Sequence, residues 1–293
     1  MPPIKTADKG PQVSSSQIAM TLPKSENPLS LRFASTSTEI RAVQALRYQI
    51  FYGEFGATPN EVTIREKRDF DEYDEVADHL MVIDSSLPAG GGQIVGTYRL
   101  IRHDRLKPDM PFYSANEFDL DQILKSKNTL LELGRSCVLP AYRTKATMQL
   151  LWQGIADYLV LHQIDLMFGC SCLHGTSPEA LAPQLAYLYH YHLAPPDMMP
   201  IALGETRVDM NLLPQDRLDA KRIFASLPPL FKGYLRLGAM VGNGAYIDYQ
   251  FNSTDVCIVL PTRNLTSKYV RHYEREIQKS IIRPVQSEDR TQV

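Results

Sequence analysis

The chain has 293 residues, 44% of them hydrophobic, enough for a sizeable core in one or two domains. Its 31 Lys and Arg against 33 Asp and Glu leave a formal charge of -2, which argues against a protein that coats nucleic acid. No apolar run approaches the ~18–20 residues of a membrane-spanning helix, and no signal-peptide pattern opens the chain, so a soluble, cytoplasmic protein is expected.

Residues 1–28 hold Pro2, Pro3, Pro11, Pro23, Pro28 and the run Ser14-Ser15-Ser16. Such a segment buries too little to offset its ordering entropy, and it reads as a disordered leader. Leu29–Ala34 is a short strand. Thr36 followed by Glu39 is a capping-box signature, and Ile40, Val43 and Ile50 then recur at helical spacing. Glu61 to Asp78 is acidic and poorly periodic. Strands are expected at His79–Asp84 and Gln93–Ile101, joined through Pro88 and Gly90-Gly91-Gly92. After a loop over Arg102–Asp119, Thr129–Leu139 reads as a strand, Thr147–His162 as a helix and Asp165–Cys170 as a buried strand. Pro178 opens a helix running to about Tyr191.

Beyond Leu193 six prolines break up a region with one expected helix, about Gln215–Ser226. Strand-like runs follow at Tyr234–Met240 and Val256–Leu260, then a charged helix near Thr266–Ser280. The order over residues 29–193 predicts an α/β (α+β) core, a mixed sheet with helices packed on it. Residues 194–263 read as an extension packed on that core, and 264–293 as a basic helix and tail.

Arg47 lies on the seam of Ile40, Val43 and Ile50, with Phe51 at i+4. Two readings are open: an arginine that snorkels from the helix edge, or one that points into a pocket holding a carboxylate or other anion. Asp69, Asp71, Glu72, Asp74, Glu75 and Asp78 are either a solvated acidic face or a site for a cationic small molecule. The most informative segment is Leu130-Leu131-Glu132-Leu133-Gly134-Arg135-Ser136-Cys137-Val138-Leu139. A strand this apolar is central, and an ionised Glu132 inside it costs several kcal/mol unless partnered. Strict alternation puts Glu132 and Arg135 on opposite faces; a bulge at Gly134 would bring them together. Such a pair is either structural or a carboxylate tuned for proton transfer.

Tyr142-Arg143-Thr144-Lys145-Ala146-Thr147 then opens a helix, a ready site for a phosphate. Of the cysteines, Cys137 and Cys170 sit in apolar runs and read as buried thiols, while Cys170 and Cys172 would share one strand face without CxxC spacing. His190 and His192 lack nearby ligand partners, so no metal site is expected. No GxSxG, HExxH, P-loop or dinucleotide fingerprint is present.

This order of elements, with a bulged strand carrying Glu132 and an arginine loop at a helix start, resembles the GNAT acyltransferase superfamily. Arg47 with Phe51, Asp71-Glu72-Tyr73-Asp74, Arg99, and Glu132 with Arg135 look like the signature of acyl-homoserine-lactone synthases. The closer likeness is to bacterial L-ornithine N-alpha-acyltransferases of ornithine-lipid synthesis. It rests on the Arg41–Tyr52 helix, Leu131–Ser136, Tyr187-Leu188-Tyr189-His190, Lys232–Ala239 and Asp255–Val259, and spans about residues 29–263.

The resemblance implies Glu132 as catalytic base, with Arg47, Phe51, Asp71, Asp74, Arg99 and Arg135 around the acceptor. It implies Arg143, Lys145 and Ser136 at the donor's phosphopantetheine. Ala146 and Met148 replace the small positions of the usual pyrophosphate loop, which disfavours coenzyme A and suits an acyl-phosphopantetheine donor on acyl carrier protein. The implied partners are that carrier and L-ornithine, with no nucleic acid, no bound cofactor and no metal. Two rivals stand beside this reading. One is an acyl-homoserine-lactone-type synthase or other amino-acid N-acyltransferase. The other is a non-catalytic, haemolysin-like membrane-surface protein, whose feature is the basic run from Arg263 to Arg283; that run is either an ordinary solvated helix or a peripheral contact with the inner membrane.

Overall fold

The structure is a computed structural model that describes residues 28–265. The expected leader and the expected charged helix over 266–280 lie outside the described residues.

Strand β1 (Leu29–Phe33) and helix α1 (Ser37–Phe51) open this region. The predicted capping box is present: the Thr36 side chain accepts from the Glu39 amide, and the Glu39 carboxylate accepts from the Thr36 amide. Within the acidic stretch, Asn60 caps a short helix α2 (Glu61–Glu66), which stops at Lys67 in the left-handed conformation. Strands β2 (Asp78–Asp84) and β3 (Ile94–Arg102) follow as predicted. The long loop after them is punctuated by β4 (Phe118–Asp119) and leads into α3 (Asp121–Leu124). Then come β5 (Leu130–Val138), α4 (Lys145–His162), β6 (Leu166–His174) and α5 (Pro178–His192). The remainder comprises β7 (Ile201–Ala202), β8 (Arg207–Val208), α6 (Ala220–Ser226), α7 (Pro229–Leu237), β9 (Met240–Val241), β10 (Ala245–Asp248) and β11 (Ser253–Pro261).

One expectation is corrected here. The run read as a strand at Tyr234–Met240 is mostly α7: Pro229 occupies its first turn, Phe231, Tyr234 and Leu235 form its buried face, and Gly238 at φ 96° caps it. A short apolar run carries both periodicities, and the flanking Pro and Gly were the deciding signals. The segment 194–263 packs α6 and α7 on the core and also supplies strands to the sheet. Its β11 pairs with β6 over nine residues and so completes the sheet.

The main sheet runs β1-β2-β3-β5-β6-β11-β10-β8, with β9 also on β11, and only β5 and β6 are parallel neighbours within it. Alternation along the strands sorts two cores. Leu80, Val82, Tyr98 and Leu131 pack with Leu151, Ile155, Leu185 and Phe231 from α4, α5 and α7. The opposite face carries Met81 under α1, and Ile101, Leu130 and Phe168 under Phe112 and Phe118 of the long loop. The polar site lies on this second face.

Candidate active site

Helix α1 buries Arg47 completely, between Val43 and Ile50. The arginine does not snorkel. Its Nε lies 2.7 Å from Asp69 Oδ2, and its two terminal nitrogens donate to Asp74 at 3.0 and 2.7 Å. Arg99 Nη1 donates to Asp74 at 3.1 Å and to Asp71 at 2.5 Å. Arg135 completes the group, with Nε 3.3 Å from Asp69 and Nη2 3.4 Å from Asp71. Burial would raise the Asp74 carboxyl, but the charges of Arg47 and Arg99 hold it well below the usual carboxylate range. Arg47 is fully enclosed, and the carboxylates it meets belong to the chain. Of the remaining acids in the run, Glu72 and Glu75 face solvent, and Asp78 accepts from the Tyr158 hydroxyl.

The predicted bulge is present. Thr97 pairs with Cys137 but Arg99 with Gly134, so Arg135 and Ser136 together oppose Tyr98. The left-handed residue is Arg135 at φ 48°, not Gly134. A non-glycine residue in that region costs about 1–3 kcal/mol and persists where its surroundings hold it. Here two aspartates do so, together with the rings of Tyr113 and Phe251 at 4.7 and 4.6 Å from the guanidinium carbon. Phe51 reaches this group only through Phe251, edge-on at 5.9 Å.

Glu132 and Arg135 reach the same face and make no bond to each other, but both meet Tyr113. Glu132 accepts from the Tyr113 amide at 2.8 Å, the Ser114 amide at 2.6 Å and the Ser114 hydroxyl. Its carboxyl is raised by burial, and the Ser114 and Tyr113 donors oppose the rise. Glu132 thus anchors the long loop onto the sheet. Tyr113 and Ser114 carry no sequence signal, because nothing periodic marks that loop.

Beside Glu132 the sheet opens. Strands β5 and β6 pair only from Leu130 with Leu166 to Glu132 with Phe168, and then part. A small apolar pocket sits at the parting, lined by Leu133, Met167, Gly169, Tyr234, Ile258 and Leu260, with Phe168 beside them. Ser136 reaches the Tyr98 hydroxyl, which lies 2.5 Å from that of Tyr234. At the start of α4, Thr144 caps the Thr147 amide and Lys145 is exposed. Arg143 is held by Glu54 through two bonds of 2.6 and 2.7 Å. The three residues assigned to the donor therefore divide between Ser136 at the bulge, against Tyr98, and Arg143 and Lys145 at the helix start.

Residues 46–153 match the acetyltransferase (GNAT) domain family. The chain is 44% identical over 254 residues to the L-ornithine N(alpha)-acyltransferase of Agrobacterium fabrum, covering 86% of this chain and 87% of that one. It is 44% identical over 256 residues to the enzyme of the same name from Brucella abortus, covering 86% and 91%. The solved AHL synthase LasI aligns with 80% of this chain and 89% of its own at 11% identity and a TM-score of 0.42. The protein is an acyltransferase with a GNAT-like mixed α/β fold. Within that class, the chain belongs to the L-ornithine N(alpha)-acyltransferases.

Proposed function

We propose that the protein transfers a 3-hydroxy fatty acyl group from acyl carrier protein to the α-amine of L-ornithine, giving lyso-ornithine lipid. The identity of 44% to L-ornithine N(alpha)-acyltransferases across 86% of the chain carries this reading. The parted strands β5 and β6 are its structural support: a thioester entering there meets an apolar cavity on one side and the Glu132–Arg135 bulge on the other.

In this reading the pantetheine arm lies between the parted strands, with its phosphate at the start of α4 beside Lys145. Arg143, committed to Glu54, and the side chains of Ala146 and Met148 leave little for a pyrophosphate, which favours the carrier protein over coenzyme A. The acceptor carboxylate pairs with Arg135, whose side chain is 13% exposed, while the enclosed Arg47 and Arg99 (0% and 2%) hold the frame through Asp74. Asp71, 23% exposed, borders the acceptor, and Phe51 backs Phe251 beneath Arg135. Glu132, directly or through water, takes the proton from the α-ammonium. The amine nitrogen attacks the thioester carbonyl, an N–H at the bulge stabilises the oxyanion, and the C–S bond breaks to release the carrier thiol and the amide. No metal or resident cofactor takes part.

The test is thiol release from acyl-carrier thioesters with a panel of amino acids. Ornithine-dependent release is expected with the carrier thioester, and slower release with the same acyl group on coenzyme A. In the same assay Glu132→Gln should lose about 10²–10⁴ of the rate while circular dichroism shows a folded chain. Absence of ornithine-dependent release removes the reading, and near-wild-type rates for Glu132→Gln remove that residue from the chemistry. Among the described residues no helix is long and apolar enough to cross a membrane. We place the enzyme in the cytoplasm with peripheral contact to the inner membrane, because its product is amphiphilic and Arg263, Lys268, Arg271, Arg275, Lys279 and Arg283 follow one another at its basic end.

A further inference from the structure

The arginine site is internally neutral, since three arginines face three aspartates. A second set of acids on the same sheet face has no such balance. Glu117 comes from the long loop, Asp248 from the end of β10 and Asp255 from β11, and one carboxylate oxygen of each lies within 4.8 Å of the others. Glu117 and Asp255 are each only 4% exposed, and Glu117 Oε2 and Asp255 Oδ1 are buried with no hydrogen-bond partner. Ser253, two residues before Asp255 on the same strand face, is also buried, and its hydroxyl stands against Asp255. Unpaired buried carboxylates are expensive: burial, with the neighbouring acids, pushes the Glu117 carboxyl up to about 8 and that of Asp255 up to about 6, so the set favours a proton or another cation among its oxygens. Asp248 is half-buried and Cys172, the register partner of Asp255, is exposed, so the set is open on one side.

The position of this set relates it to the chemistry. The Cys170 thiol faces Glu117 and also lies 3.3 Å from Ser114 Oγ, whose hydroxyl donates to Glu132. The Arg135 charge is near enough to act on both Glu117 and Asp255. An amino acid whose carboxylate meets Arg135 and whose α-amine meets Glu132 therefore extends its side chain toward the three acids. A primary ammonium brings three N–H donors, matching Glu117 Oε2, Asp255 Oδ1 and a third acceptor from Ser253 or Asp248.

We propose that Glu117, Asp248 and Asp255 form the pocket for the side-chain ammonium of a diamino-acid acceptor, and so select it over neutral amino acids of the same length. This rests on the acyl-transfer reading above and assigns a role that Asp71 and Asp74, already committed to arginines, do not fill. The experiment compares wild type with Glu117→Gln and Asp255→Asn, using L-ornithine and L-norvaline as acceptors. Each variant is expected to raise KM for ornithine about 10–100-fold with a much smaller effect on kcat, and to lower the ornithine-to-norvaline preference by a similar factor. Without donor, ornithine should raise the melting temperature of the wild type and not of Glu117→Gln. Preserved preference and a preserved ornithine shift in both variants overturn the proposal. So does a melting temperature that answers to Mg²⁺, Ca²⁺ or EDTA in place of ornithine, which would make the set a metal site. A wild type that acylates no ornithine instead removes the functional reading itself.

Discussion

Asp74 accepts from Gln44 at 2.8 Å as well as from Arg47 and Arg99, so one carboxylate joins α1 to β3. Replacing it by Asn leaves two enclosed guanidinium groups short of a charge partner. We expect Asp74→Asn to lose about 3–5 kcal/mol in denaturant unfolding, because a broken buried pair costs the unpaired ion's desolvation. The folded carboxyl titrates below its unfolded value near 3.8, so this stabilisation is present above about pH 4 and fades as pH falls further. The difference between wild type and variant should therefore hold from pH 7 to about 4 and shrink below; a pH-independent difference would assign the loss to packing. At this scale the sequence showed that a cation lay on an apolar helix face and an acid in an apolar strand. It did not show which acids meet which arginine, because Asp69, Asp71 and Asp74 are separated from Arg47 by more than twenty residues of chain. Asp255 stood just outside the strand expected at Val256–Leu260, and its partner Glu117 sits in a loop without a pattern.

Among the elements, the close approach of β6 to β5 at the point where they part depends on Gly169. A Cβ there would stand 2.1 Å from the Leu133 carbonyl oxygen, a backbone atom that cannot turn aside, whereas a Cβ at Gly134 meets nothing within 4 Å. Gly169→Ala is expected to cost about 3 kcal/mol or more and to depress acyl transfer by spreading the cavity. Gly134→Ala should stay within about 0.5 kcal/mol of wild type in the same melts. Equal melting temperatures for the two variants would deny Gly169 this role. The bulge was legible from Gly134, yet the left-handed conformation fell to Arg135, one position on. A glycine marks where a strand can bend, and the contacts of the neighbouring side chain decide where it does. Helix α7 was misread as a strand for a related reason: its apolar run is short, and its packing against the sheet chose the helical period.

For the molecule as a whole, the net charge of -2 conceals segregation. A neutral cluster of arginines and aspartates adjoins an acid set that makes no ion pair among the described residues, and residues 263–283 carry a basic run. If that run meets anionic lipid, full-length protein should float with phosphatidylglycerol-containing liposomes at low salt, and a version lacking residues 266–293 should not. Equal flotation of both would remove the membrane role from that segment. Local pattern was sufficient for the order of most strands and helices through residue 193, for the Thr36 capping box, and for Arg47 and Glu132 as unusual residues. These follow from periodicity and from the cost of burying charge, which act along the chain. Tertiary packing alone placed β11 against β6, drew the three arginines onto three aspartates, and gathered Glu117, Asp248 and Asp255 with no ion pair to them among the described residues. Those outcomes depend on which distant segments become neighbours, and the free energy of a buried charge is set by its neighbours in space.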